Sequence, residues 1–69
     1  MKSVSGKKFC KIIDKKGWVL RKITGSHYIY EKPGAQKIIS VPVHKNQDLK
    51  RGTLKALMKI AELEESDLQ

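Results

Sequence analysis

The chain has 69 residues and a formal net charge of +8, fifteen Lys and Arg against seven Asp and Glu. Domains this small bury only about 60% of their unfolded surface, which leaves little room for a deep cofactor cavity and puts function on the surface. One cysteine excludes an internal disulfide framework and a cysteine-built zinc cage, and no apolar run approaches the ~18 residues of a membrane helix.

These limits predict a cytoplasmic, non-membrane protein forming one domain over residues 1–69, monomeric when free and facing a polyanionic partner. The charge is uneven. Residues 1–24 hold eight basic residues and one acid, residues 25–52 five and two, and residues 53–69 two and four. The positive field therefore belongs to the first two-thirds of the chain.

A first helix is predicted from Ser5 to Lys16. Ser5 is a good N-cap, Phe9, Ile12 and Ile13 share one face, and Lys7, Lys8, Lys11 and Lys15 gather opposite. Gly17 supplies its stop. Three stretches of strand character follow, Trp18–Thr24, His27–Lys32 and Lys37–Val43, separated by Gly25-Ser26 and by Pro33-Gly34-Ala35-Gln36. If those last four residues form the loop, Lys32 pairs with Lys37, Tyr30 with Ile39, Tyr28 with Val41 and His27 with Pro42. Tyr28, Tyr30, Ile39 and Val41 then share one face, continued by Val43, while His27, Ile29 and Glu31 alternate outward.

After a polar stretch from His44 to Arg51, a second helix is predicted from about Gly52 to Glu62. Leu54, Leu57, Met58 and Ala61 recur at its core spacing. Leu63 and Leu68 are expected to pack back in a short terminal turn. The fold class is α+β, in the order α-β-β-β-α, with a three-stranded antiparallel sheet, both helices on one face and the other face open. The expected core is Phe9, Ile12, Ile13, Trp18, Leu20, Tyr28, Tyr30, Ile39, Val41, Val43, Leu54, Leu57 and Met58. Trp18, Tyr28 and Tyr30 look like a base-stacking set, but their phase assigns them to that core. Cys10, on the flank of the first helix, reads as packing rather than as a nucleophile.

The open face carries the chemistry. His27 follows Gly25-Ser26, where glycine permits close backbone approach and the serine hydroxyl can bond a phosphate. Histidine exchanges protons readily near neutral pH, so it can act as a general base. His44, in phase with Ser40 and Pro42, is the diagonal neighbour of His27, roughly 7–8 Å away between backbone positions. The plainer reading of His44 is an ordinary exposed strand histidine. Arg21 or Lys22 can balance charge growing on a phosphoryl group. Lys7, Lys11 and Lys15 line a stripe suited to phosphate contact, or simply to solubility. Two histidines seventeen positions apart make a poor metal site, so no metal and no cofactor are expected.

Gly17-Trp18, Gly25-Ser26-His27-Tyr28-Ile29-Tyr30, Val41-Pro42-Val43-His44 and Gly52-Thr53-Leu54 together resemble the HicA-type toxins, small RNA-cleaving proteins of toxin–antitoxin pairs. The resemblance covers nearly the whole chain, from Ser5-Gly6 to Leu68. It implies a fold similar to the double-stranded-RNA-binding domain, His27 as the catalytic residue, and a HicB-type antitoxin as partner. Glu62, where many relatives end the helix with glycine, and Lys22, for a frequent arginine, depart from the pattern without touching the histidine. RNA carries its own nucleophile, the 2′-hydroxyl, so a metal-independent endoribonuclease acting on mRNA needs only one base and a stabilised phosphate. Two other readings stay open: a non-catalytic RNA-binding module on the same basic surface, and an interaction protein docking through its acidic end and second helix.

Overall fold

Ser5 starts the first helix as expected, its hydroxyl accepting the backbone N–H of Lys8 at 3.1 Å. Helix α1 spans Gly6–Lys15, followed by strands β1 (Val19–Thr24), β2 (His27–Lys32) and β3 (Lys37–Pro42) and helix α2 (Arg51–Ala61), with a closing 3-10 turn at Glu65–Leu68. The computed structural model describes residues 3–68. The order is α-β-β-β-α, and the strands form one antiparallel sheet in the order β1-β2-β3.

The β2–β3 hairpin has the register expected from the sequence, with Lys32 opposite Lys37, Tyr30 opposite Ile39, Tyr28 opposite Val41 and His27 opposite Pro42. Alternation along a half-buried strand leaves little choice here, because a one-residue slip would turn every apolar side chain outward. Strand β1 is less regular. Its pairing with β2 shifts between Leu20 and Lys22, so Arg21 is the extra residue of a bulge.

Phe9, Ile13, Trp18, Tyr30, Ile39, Val41, Leu54, Leu57 and Met58 are buried as expected, while Ile12, Tyr28 and Val43 are only half-buried against them. Leu20 is a correction. It pairs with Tyr30, yet it is 40% exposed, and Ile23 beside it is 53% exposed. Both helices pack chiefly on β3, so the edge strand β1 is left uncovered on the side that faces the helix layer.

Val4 and Leu49, outside the expected core, are buried together: the Leu49 N–H donates to the Val4 carbonyl at 2.8 Å, beside an isolated bridge of Ser5 to Asp48. Leu68 is fully buried, so the terminal turn does pack back, although Leu63 is only half-buried. Cys10 is buried too. Burial pushes its thiol up from the ordinary value, against the neighbouring Tyr30 hydroxyl and with the Asp14 charge, which keeps it protonated and unreactive.

One close approach fixes how α1 meets the sheet. A Cβ at Gly6 would overlap the carbonyl oxygen of Pro42, so only glycine lets the helix start this near the end of β3. Glu62 ends α2 in the left-handed conformation (φ 57°), where glycine is favoured, and its backbone N–H still reaches the Lys59 and Met58 carbonyls.

Candidate functional site

The turn from β1 to β2 consists of Gly25 and Ser26, with Thr24 and His27 as the facing pair. Gly25 has φ 58°, and nothing lies within 4 Å of a Cβ built there, so glycine is favoured by the backbone and not by crowding. His27 therefore stands at the first position of β2, exposed, between Thr24 on one side and Pro42 on the other. Its neighbours in the strand, Tyr28 and Tyr30, turn towards the helices, which leaves the imidazole on the open face. The Val43 N–H donates to the Ser26 carbonyl at 2.7 Å, which ties the exit of β3 to this turn.

His44 departs from expectation. Strand β3 ends at Pro42, so His44 is not a strand residue and the diagonal strand spacing to His27 does not apply. The last bond towards β2 is the Val43 N–H to the Ser26 carbonyl, after which the chain turns at Lys45 and Asn46. His44 instead lines a cleft of about 270 Å³ between the end of β3 and the start of α2, together with Gln47, Lys50 and Thr53. Spatially it still belongs beside the His27 turn, because Pro42 is common to both.

The basic candidates separate into groups. Lys22 is exposed and pairs across the sheet with Ile29, on the same face as His27, and it makes no ion pair among the described residues. Arg21 is committed: its Nε lies 2.7 Å from Glu31 Oε1. Lys7, Lys11 and Lys15 are exposed on α1, on the solvent side of the helix layer. The structure does not bring them together with His27, although Lys7 begins the stripe near the Pro42 end, where Gly6 touches β3. Sequence reading missed Lys45, Lys50 and Arg51, which are exposed around the cleft or at the start of α2. Their run of charge in a polar segment was the available signal.

A basic α-β-β-β-α domain with an exposed histidine at a Gly-Ser turn defines a class of small surface-acting proteins. The family description "HicA toxin of bacterial toxin-antitoxin" matches residues 6–63, and the chain belongs to the HicA toxin family. It is accordingly a toxin whose family pairs each toxin with an antitoxin. No curated protein matches the chain. Among the described residues, no helix is long and apolar enough to cross a membrane.

Proposed function

We propose that this HicA-family toxin is an endoribonuclease that cuts mRNA, stops translation and growth, and is silenced by a HicB-type antitoxin covering the His27 face. The observation that carries the reading is the exposed His27 at the Gly25-Ser26 turn, on the open face of the sheet. The neutral imidazole takes the proton of a 2′-hydroxyl, the freed oxygen attacks the adjacent phosphorus, and the 5′-oxygen leaves with a proton regained from solvent. General-base catalysis of this kind contributes about 10²–10⁴-fold. The Ser26 hydroxyl, the Gly25 backbone and Lys22 bind the phosphate, and Lys22 opposes the charge that grows on its oxygens. His44 contacts the RNA strand from the neighbouring cleft. Lys7, Lys11 and Lys15 bind further phosphates where the strand wraps past the start of α1.

The test uses one RNA and its analogue with 2′-deoxy residues, each incubated with the toxin and a chelator. The RNA is expected to shorten and the analogue to remain whole. Cutting of the analogue, or cutting abolished by chelator, would overturn the mechanism. RNA that binds but never shortens would replace it with the binding-module reading.

A further inference from the structure

The cleft beside His44 has a lining that phosphate binding alone does not explain. Asp48 is one of its walls, a carboxylate on the rim of a strongly basic surface. A carboxylate repels phosphate, and this one makes no ion pair among the described residues. Pro42 and Leu49 supply apolar surface, and Gln47, Lys50 and Thr53 add polar groups around it. At about 270 Å³ the cleft is smaller than the ~300–1,000 Å³ of a drug-sized site, and it suits one flat ring system.

Its walls are held by the fold. Gln47 donates its backbone N–H to the His44 carbonyl at 3.0 Å, Leu49 is buried and bonded to Val4, and Asp48 bridges Ser5. The site is therefore preformed, and its Pro42 edge is the strand neighbour of His27.

We infer that this cleft is a base-reading pocket that takes a guanine of the RNA next to the cut phosphate, with Asp48 accepting the base's N1–H and amino N–H. This rests on the RNA-cleaving reading above. Single-stranded bases are read on their Watson–Crick edges, and guanine alone presents two adjacent donors there, which match the two oxygens of a carboxylate. Adenine and cytosine offer one donor beside an acceptor that the carboxylate repels. Uracil offers one donor between two acceptors. Lys50 or Gln47 then donates to guanine O6, and Pro42 and Leu49 cover the ring.

The experiment titrates 3′-GMP, 3′-AMP, 3′-CMP and 3′-UMP into the His27→Ala protein and follows the backbone amides of residues 44–53 by NMR. GMP is expected to bind tightest and to move those amides. Asp48→Asn is expected to reduce the ratio of GMP to AMP affinity by at least about fivefold, the low end for a bidentate base contact. The bridge of Asp48 to Ser5 is a backbone pairing that Asp48→Asn retains, so a lost preference in that variant reads the carboxylate itself. With His27 intact, Asp48→Asn should lower the share of cuts beside G relative to wild type. Equal affinity for all four nucleotides, amide shifts confined to other residues, or an unchanged ratio in Asp48→Asn would each overturn the inference. Guanine binding in the cleft of a protein that never cuts RNA would uphold the pocket and remove the ribonuclease reading instead.

Discussion

The two ends of the sheet use the same residue type in opposite ways. At the end where β2 turns into β3, lysines are fasteners. Lys16 Nζ lies 2.9 Å from Asp67 Oδ1, Lys37 Nζ lies 3.0 Å from Glu62 Oε1, and Lys32 Nζ donates to the Lys16 carbonyl at 2.9 Å while standing 5.9 Å from the centre of the Trp18 ring. At the other end, around His27 and the cleft, Lys22, Lys45, Lys50 and Arg51 have no acidic partner among the described residues. The difference shows where a polyanion can bind without first displacing the protein's own carboxylates. Net charge alone cannot make that distinction.

The contrast can be broken most sharply through RNA affinity. Replacing Lys22, Lys45 and Lys50 by Gln should flatten the dependence of log affinity on log salt by about 0.7–0.9 for every phosphate no longer neutralised. Replacing Lys16 and Lys37 by Gln should leave that slope unchanged and lower Tm slightly. Equal slopes in the two variants would erase the difference between the ends. The α1 stripe is a third arm: Lys7, Lys11 and Lys15 changed to Gln should lower the slope too, and an unchanged slope would assign that stripe to solubility or to the antitoxin.

Gly6→Ala tests how the open end is held. The added Cβ meets backbone at Pro42, which has nowhere to retreat, so destabilisation by about 1–3 kcal/mol is expected in denaturant unfolding. A change within about 0.5 kcal/mol, the range of ordinary surface substitutions, would mean that α1 is seated differently.

The smallest effect concerns the fastened end in acid. The Glu64 backbone N–H, and then Lys16, hold the Asp67 carboxyl below its ordinary value of 3.8, and the Lys37 hydrogen bond holds Glu62 below 4.5. A lowered folded-state pKa contributes stability above the unfolded value and loses it as pH falls through the folded one. Tm should therefore drop on acidification below about pH 4.5, and the double variant Glu62→Gln, Asp67→Asn should have the flatter profile. Glu62 is exposed and Asp67 partly so, which keeps the difference small. Identical profiles would mean that these two pairs hold nothing together.

The hairpin register is legible in the sequence because alternation and a four-residue turn at Pro33–Gln36 agree on one pairing. Leu20 misleads because its own pattern is apolar; its exposure depends on how far the helices extend over the sheet, which is a tertiary fact. Val4 and Leu49 are isolated apolar residues in polar segments, and no periodicity marks them. His44 is misplaced by any reading that carries the strand past Pro42. The Gly25-Ser26-His27 turn is readable from three adjacent residues, whereas the cleft combines the end of β3, the loop after it and the start of α2. Only folding brings those together.

In the proposed mechanism His27 performs the chemistry and little else. The direct measurement compares wild type with His27→Ala for cleavage and binding of one RNA, with the fold checked by unfolding. His27 is exposed, so its truncation opens no cavity, and the surrounding cations supply the affinity. Cleavage should fall by about 10²-fold or more, with RNA affinity and stability nearly unchanged. Full cleavage by the His27→Ala protein would contradict that role.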